Sequence, residues 1–190
     1  MDKLSLAADG VVLVVVDIQE RLAAAMPEAL REACVQNAVR LVEGARLLDI
    51  PVMVTEQYPK GLGHTVAPVQ GALDRIEGGP TLIEKVEFDA CRCTGFADGI
   101  GALGDRRTVI LSGMEAHICV WQTARGLRSQ GLSVHVPFDA TCSRDPENRR
   151  VAEGLWDRAG AVVTCTETVL FDLLGKAGGD AFKQISRLVR

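Results

Sequence analysis

A run of six apolar residues, Val11–Val16, constrains the fold of this chain more than any other feature. Five of the six residues are valine, and none is polar. Continuous apolarity is typical of a strand that is buried on both faces of a parallel sheet, because a strand with one wet face alternates apolar and polar residues. The run ends at Asp17, so the sequence places a carboxyl group at the carboxyl end of a central strand.

Strand-like and helix-like segments alternate along the 190 residues. Apolar and β-branched stretches predict further strands at residues 51–55, 81–85, 108–113, 132–138 and 161–165. Amphipathic spacing predicts helices at residues 27–49, 118–129, 147–159 and 181–189, and the Gly- and Pro-rich stretch 57–79 is predicted to be irregular. We therefore predict an α/β fold formed by residues 1–190 as one domain, with a doubly wound, mainly parallel six-stranded sheet and helices on both faces.

The composition excludes several classes of partner. The chain has 21 Lys and Arg against 25 Asp and Glu, a formal net charge of -4, and its basic residues are scattered. Without a basic stripe we expect no nucleic-acid partner and no membrane partner. The first ten residues lack the layout of an export signal, and no apolar run reaches the length of a membrane span. We expect a cytoplasmic protein whose six cysteines are reduced.

Three chemically reactive residues follow predicted strands. Asp17 ends the first strand, Lys85 ends the third, and Cys119 follows the fourth where the next helix is predicted to begin. Each has an ordinary alternative, namely a helix cap for Asp17, a solvated edge residue for Lys85 and a small core residue for Cys119. In open α/β sheets, however, ligands bind beyond the carboxyl ends of the strands. The three residues together at that edge favour a joint catalytic function.

These residue types suit nucleophilic catalysis by a thiol. A cysteine at a helix start experiences the positive end of the helix dipole, and a nearby ammonium lowers its pKa further, so we expect Cys119 to favour the thiolate. A carboxylate at the end of an apolar strand is poorly solvated, which raises its proton affinity and allows Asp17 to accept the thiol proton. Backbone N–H groups in the turn before Cys119 can stabilise a tetrahedral oxyanion. The arrangement requires no histidine.

Four segments of the chain resemble a known family. They are Val14-Val-Val-Asp17-Ile-Gln19, Glu84-Lys85-Val-Glu-Phe88, Ser112-Gly-Met-Glu-Ala-His-Ile-Cys119-Val120 and Asp139-Ala-Thr-Cys142. In this order they resemble the isochorismatase-like cysteine hydrolases, which include nicotinamidases and carbamoyl-amide hydrolases, over residues 13–174. Residues 56–60 and 115–117 resemble the uncharacterised subgroup of isochorismatase-domain-containing proteins.

The resemblance implies a role for each reactive residue. Cys119 is then the nucleophile, Asp17 the general base and Lys85 their electrostatic partner. The resemblance also implies a non-proline cis peptide bond between Met114 and Glu115, which turns the backbone so that the N–H groups of Glu115 and Cys119 form an oxyanion hole. It further implies a homo-oligomer that acts on a small-molecule substrate and needs no cofactor.

The chain departs from the metal-dependent members of this family. Metal-dependent nicotinamidases have an Asp-x-His motif and a further histidine after the second strand, whereas residues 55–64 of this chain contain only His64. We therefore expect no metal and a substrate other than nicotinamide. The candidate substrate-binding residues are Gln19, Glu56, Tyr58, Phe88 and His117.

The sequence thus predicts a cysteine-dependent hydrolase of a small carbonyl compound, which cleaves an amide C–N bond through a Cys119 thioester. Two alternatives from other classes stay open. One is a non-catalytic interaction or scaffold protein of the same fold, and the other is a thiol redox sensor that pairs Cys119 with Cys91 or Cys93. A flavin or nicotinamide oxidoreductase is not supported. A dinucleotide-binding GxGxxG motif follows a strand and opens a helix, whereas the pattern at residues 99–104 follows a short predicted helix and precedes the fourth strand.

Overall fold

A computed structural model describes residues 4–190 and shows seven strands in one sheet. The strands are β1 (Val11–Val16), β2 (Val52–Gln57), β3 (Thr81–Lys85), β4 (Thr108–Met114), β5 (Ser133–Pro137), β6 (Thr141–Cys142) and β7 (Val162–Thr164). Six of them follow one another in the order β3-β2-β1-β4-β5-β7, and the short β6 pairs with β4. These strands all pair in parallel, so the predicted sheet is confirmed.

Nine α-helices of the described chain surround this sheet. They are α1 (Glu20–Ala24), α2 (Glu28–Leu47), α3 (Pro59–Leu62), α4 (Ala67–Leu73), α5 (Thr94–Ala102), α6 (Trp121–Ser129), α7 (Pro146–Arg158), α8 (Thr166–Leu174) and α9 (Gly179–Leu188). Helices α2, α4 and α8 cover one face of the sheet, and α5, α6 and α7 cover the other. None of the helices within residues 4–190 has both the length and the apolarity needed to cross a bilayer.

Strand β1 lies at the centre of the molecule, as its composition predicts. Each of its residues is at most 2% exposed. Its odd-numbered residues pack in the core with α2, α4 and α8, whereas its even-numbered residues pack in the core with α5, α6 and α7. Because burial of a valine side chain stabilises a fold by roughly 1.5–3 kcal/mol, this strand anchors both layers of helices. The strand also determines the position of Asp17, the residue that follows it in the sequence.

The segment 57–79 differs from its predicted irregular structure. It contains α3 and α4, and each of these helices has a proline in its first turn. Proline suits the first turn because the N–H that it lacks has no acceptor within the helix, so a residue that breaks a helix elsewhere begins one here. Strand β2 also continues through Glu56 and Gln57, two residues beyond the predicted end. The apolar pattern ends before these two polar residues, yet both of their side chains are buried.

The two-residue strand β6 was not predicted. It pairs with the end of β4, where Gly113 is opposite Thr141 and Met114 is opposite Cys142. A strand of this length shows no period in the sequence, so no pattern could indicate it. Its pairing brings the residues that follow it against the turn after β4.

Gly113 stands where β4 runs beside β1, with a φ of 131°. A β-carbon at this position would collide with the carbonyl oxygen of Val16, and a positive φ is strained for other residues. We expect Gly113→Ala to lower the free energy of unfolding by at least about 2 kcal/mol in urea denaturation. The control is Gly71→Ala within α4, where a β-carbon meets open space, and it should gain roughly 0.5–1 kcal/mol. Equal stability of the two variants would contradict the packing of β1 on β4.

Candidate active site

The carboxyl ends of β1 and β3 and the turn after β4 converge on one buried cluster. Asp17 Oδ2 lies 2.7 Å from Lys85 Nζ, and the same carboxylate is close enough to the Cys119 thiol to raise the pKa of that thiol. Asp17 is fully buried, and Lys85 and Cys119 are only 4% and 5% exposed. The structure therefore brings together the three reactive residues that the sequence singled out, at the edge where open α/β sheets bind ligands.

Hydrogen bonds from two strands orient the Asp17 carboxylate. The hydroxyl of Thr55 on β2 donates to Oδ1 at 2.6 Å, and Lys85 on β3 donates to Oδ2. The backbone N–H of Asp17 donates to the Thr55 carbonyl, and a φ of 51° turns the residue out of β1. Aspartate tolerates this left-handed conformation better than most residues other than glycine.

Gln57 on β2 holds the ammonium of Lys85. Its Oε1 accepts a 2.7 Å hydrogen bond from Lys85 Nζ, while its Nε2 donates to the Val86 carbonyl at 2.7 Å. The sequence analysis missed both Gln57 and Thr55. These residues are two apart on one strand, so they share a face of the sheet. Three polar residues, Thr55, Glu56 and Gln57, at the end of an otherwise apolar strand were the available signal.

Gln19 braces the backbone instead of facing a ligand. Its side chain accepts a hydrogen bond from the Gln57 N–H at 2.7 Å and donates to the carbonyls of Gln57 at 3.1 Å and Gly63 at 2.6 Å. Gln19 is also fully buried. Both N–H groups of this amide are therefore used within the protein, and the structure gives Gln19 a bracing role where the sequence predicts a substrate contact.

The turn after β4 positions Cys119. The Met114–Glu115 peptide bond is cis, and Ala116–Val120 form one turn of π-helix before α6. The helix predicted at residues 118–129 is therefore two elements, of which the π turn carries the thiol. The backbone N–H of Glu115 partly offsets the rise in the pKa of the Cys119 thiol, so this turn supplies a group that favours negative charge on the sulfur.

Residues 143 and 144, which follow β6, brace this turn. The side chain of Glu115 is 5% exposed. Its carboxylate accepts hydrogen bonds from the backbone N–H of Arg144 at 3.0 Å and from Arg144 Nε at 3.1 Å. His117 Nδ1 lies 3.0 Å from the hydroxyl oxygen of Ser143. His117, a predicted substrate contact, thus has a partner within the protein. The sequence analysis missed Ser143 and Arg144 because it missed β6.

Burial sets the proton affinities of the cluster. Burial raises the pKa of Asp17, although the nearby Lys85 opposes the shift. Burial and then the Asp17 carboxylate raise the pKa of the Cys119 thiol far above its ordinary range, and Lys85 and the Glu115 N–H oppose this only in part. The expectation that Cys119 favours the thiolate is therefore wrong. Loss of water around the sulfur outweighs the ammonium and the helix start, and the resting group is a neutral thiol.

Glu56 anchors the segment that follows β2. Its Oε1 accepts hydrogen bonds from the N–H of Thr65 at 2.6 Å and the Thr65 hydroxyl at 2.8 Å, and its Oε2 lies 2.9 Å from His64 Nδ1. Glu56 is 2% exposed, so its predicted contact with substrate is replaced by a structural role. In residues 4–190, no three His, Cys, Asp or Glu side chains are arranged to hold a metal ion.

Tyr58 and Phe88 are the predicted substrate contacts that remain open to solvent. Their exposed fractions are 54% and 52%. The Tyr58 N–H donates to the Lys85 carbonyl at 2.8 Å, and Tyr58 and Lys85 line one groove of about 400 Å³, whose lining does not include Phe88. The aromatic side chain of Tyr58 thus lies beside the strand end that carries Lys85.

Comparison with known proteins adds family context to this geometry. The isochorismatase domain model matches residues 11–168. Isochorismatase domain-containing protein 1 of Salmo salar is 37% identical over 151 residues, which cover 80% of this chain, and the chain spans about half, 51%, of that protein. Isochorismatase domain-containing protein 2 of Danio rerio is 35% identical over 184 residues, which cover 97% of this chain and 89% of that protein. The structure of MAR1 ribonuclease from Caenorhabditis elegans is 36% identical, with a TM-score of 0.88 over 97% of this chain and 92% of that one.

The charge on Asp17 should control the acidity of Cys119. Because a neighbouring carboxylate disfavours the thiolate, Asp17→Asn should lower the pKa of the thiol and also leave the Lys85 ammonium to attract it. We expect alkylation of Cys119 by iodoacetamide to begin at lower pH in this variant, measured by mass spectrometry of the peptide that contains Cys119. Asp98→Asn, at an exposed residue of α5, should leave the profile unchanged. A profile that ignores Asp17→Asn would contradict the contact.

The pair of His64 and Glu56 should make stability depend on pH. The Glu56 carboxylate raises the pKa of His64 above its unfolded value. Such a shift contributes stability that is fully present below the unfolded pKa of about 6.5 and is lost as pH rises through the folded pKa. His64→Gln should therefore lower the melting temperature more at about pH 5.5 than at about pH 8.5. Equal losses at the two pH values would show that the histidine is not paired in solution.

Proposed function

The chain belongs to the isochorismatase family, and we propose that it is a cysteine-dependent hydrolase that cleaves the amide C–N bond of a small carbonyl compound. The observation that supports this most strongly is the contact of the Cys119 thiol with the Asp17 carboxylate, which is itself paired with Lys85. A thiol against a buried base of raised proton affinity is suited to attack a carbonyl carbon. The pair supplies both the nucleophile and the acceptor for its proton.

In the first step, Asp17 accepts the proton of Cys119 while the sulfur forms a bond to the substrate carbonyl carbon. The raised pKa of Asp17 favours this transfer, and the proton leaves only as the C–S bond forms, so no free thiolate has to persist in a buried site. The carbonyl oxygen becomes an oxyanion held by the N–H groups of Glu115 and Cys119. One such donor contributes about 3–4 kcal/mol to transition-state stability.

In the second step, the tetrahedral intermediate collapses and its C–N bond breaks. Asp17 returns the proton to the leaving nitrogen, which departs as an amine or ammonia and leaves a Cys119 thioester. Water then attacks the thioester and gives one proton to Asp17, and the C–S bond breaks. Asp17 passes that proton to the sulfur, which restores the thiol and releases a carboxylic acid. Throughout, Lys85 keeps the Asp17 carboxylate oriented through their 2.7 Å contact.

The substrate is proposed to be small. Asp17, Lys85 and Cys119 are at most 5% exposed, so there is room beside the thiol for a small substrate only. A groove of about 400 Å³ includes Lys85 but neither Asp17 nor Cys119 in its lining, and we propose it as the approach to the site and not as the place of reaction. Tyr58 and Val86 give this approach apolar walls, and Lys60, Glu84 and Glu87 give it charges of both signs. A small neutral amide fits these walls better than a polyanion.

RNA is a second substrate class to be tested, because the Caenorhabditis elegans relative is named a ribonuclease. The residues of this chain do not favour it. The formal net charge is -4, and the groove beside Lys85 is lined by the carboxylates of Glu84 and Glu87, which would repel phosphates. The thiol also attacks a carbonyl carbon more readily than it assists transfer between phosphate oxygens. A short RNA therefore serves as a comparison substrate.

A redox sensor is disfavoured by the state of the thiols. Oxidation requires thiolate character, whereas burial raises the pKa of Cys91 to about 12 and that of Cys119 further still. Cys93 donates to the Glu84 carbonyl at 3.8 Å and Cys91 to the Thr123 carbonyl at 3.8 Å. All six cysteines, which lie within the described residues, are free thiols. These free thiols support a reducing compartment, and we propose the cytoplasm.

Cys119→Ala should remove turnover without unfolding the protein. Ammonia release from small amides such as acetamide and N-carbamoyl amino acids, with short RNA as the comparison, gives the activity. We expect a loss of at least about 10³-fold, because the nucleophile is gone, with a change in the free energy of unfolding under about 1 kcal/mol. Cys165→Ala, at an exposed thiol, is the matched control and should keep full turnover.

Two outcomes would contradict the hydrolase proposal. If Cys119→Ala keeps the turnover of the wild type, the thiol is not the nucleophile. If the wild type releases no ammonia from any amide and Cys119 resists alkylation even at alkaline pH, the scaffold alternative is the better description.

A further inference from the structure

Glu115 places a carboxylate beside the proposed oxyanion hole. Its backbone N–H is one of the two donors proposed to hold the oxyanion, and this N–H partly offsets the rise in the pKa of the Cys119 thiol. The side chain of the same residue is 5% exposed. A negative charge that is removed from water opposes a second negative charge nearby, because little solvent screens the two. The carboxylate therefore works against its own N–H unless a positive charge offsets it.

Arg144 supplies this positive charge. Its Nε lies 3.2 Å from Oε1 and 3.1 Å from Oε2 of Glu115, and its backbone N–H donates to Oε2 at 3.0 Å. The side chain of Arg144 is 61% exposed, so the guanidinium stays hydrated while the carboxylate does not. An ion pair with two exposed partners contributes little, whereas loss of the partner of a buried charge leaves that charge uncompensated.

The chain holds Arg144 in place from both sides. Cys142, two residues before it, belongs to β6 and pairs with the end of β4. Ser143 is fully buried, and the side chain of Asp145 caps the first turn of α7. Because its backbone is already ordered, Arg144 contacts Glu115 at a lower cost in conformational entropy than an arginine on a flexible loop would.

We propose that Arg144 is a positioning residue of the hydrolase reaction, which acts through Glu115 by neutralising its buried carboxylate. This inference rests on the proposed function. The pair of Glu115 and Arg144 has no net charge, so the Glu115 N–H can favour the negative charge that forms on the substrate oxygen. Arg144 itself exchanges no proton and forms no bond with the substrate.

The effect of Arg144 should appear in kcat and not in KM. A neutral amide carries no charge before Cys119 attacks it, so an unpaired Glu115 carboxylate changes its binding little. The same carboxylate raises the free energy of the transition state, because the carbonyl oxygen becomes negative there. An effect that is confined to the transition state changes kcat and kcat/KM equally.

Turnover of a small amide by matched variants tests this effect. Arg144→Gln should lower kcat at least about tenfold and leave KM within about twofold. Addition of Glu115→Gln to that variant removes the buried charge and keeps the backbone N–H, so kcat should return to at least about a third of the wild-type value. Arg144→Lys keeps the charge and should lose less than Arg144→Gln. The control is Arg150→Gln, at an exposed arginine of α7 paired with Glu147, and it should keep full turnover.

A purely structural role of the contact predicts a different order of the variants. If Arg144 mattered only because its contacts hold the turn, loss of both partners would be at least as harmful as loss of one. A folded double variant whose kcat stays below a third of the wild-type value therefore overturns the proposal. An Arg144→Gln variant that matches Arg150→Gln overturns it as well. The double variant leaves no buried charge unpaired, so it decides the question even if Arg144→Gln does not fold.

Alkylation of Cys119 tests the same charge without turnover. Because the Glu115 N–H favours negative charge on the sulfur, an unpaired carboxylate on Glu115 should oppose the thiolate. At one alkaline pH, iodoacetamide should modify Cys119 at least about threefold more slowly in Arg144→Gln than in the wild type, and the double variant should recover. Equal rates in the wild type and Arg144→Gln overturn the proposal. A wild type that hydrolyses no amide while these rates differ as expected overturns the proposed function and leaves the charge neutralisation by Arg144 in place.

Discussion

The buried contact between Lys85 and Asp17 is the constraint on which the rest of the site depends. Removing an ammonium and a carboxylate from water costs several kcal/mol for each ion. Hydrogen bonds of good geometry must offset this desolvation free energy. Thr55 supplies one to the carboxylate, and Gln57 supplies one to the ammonium. The four side chains come from β1, β2 and β3, so the register of three strands has to be satisfied at once.

The same loss of water defines the chemistry of the thiol. It raises the pKa of Asp17 and of Cys119 together, so the proton stays on sulfur while the Asp17 carboxylate lies near it as an acceptor. At an exposed helix start the pKa of a thiol would instead be lowered, because nearby positive charge and water stabilise the thiolate. Here the negative charge forms only as the proton moves and the carbon–sulfur bond develops. The turn that carries Glu115 then matters as much as the thiol, because its N–H favours negative charge on the sulfur.

The sequence predicts where the strands lie better than it predicts which side chains contact each other across the strands. The apolar run of β1 and the parallel topology were enough to predict that three reactive side chains lie at one edge of the sheet. Thr55 and Gln57 were missed because a polar residue in a buried strand reveals its partner only when the register is known. Arg144 was missed because the two residues of β6 have no period. The bracing role of Gln19 was not predicted, because a position near a strand end does not say which way an amide points.

The place of Lys85 in the sheet connects catalysis with the order of the sheet edge. Its strand is outermost, and Asp17 lies at the end of β1, two strands away, so the ammonium must reach across β2 to its partner. Only β2 sets the register of β3, and the outer side of β3 has no strand partner in the described chain. Three contacts hold the end of this strand, namely the ion pair, the hydrogen bond from the Tyr58 N–H to the Lys85 carbonyl and the one from Gln57 Nε2 to the Val86 carbonyl. The groups that place the ammonium beside Asp17 therefore also keep the edge strand in register, so a change that frees the end of β3 should also separate the charges on which the chemistry depends.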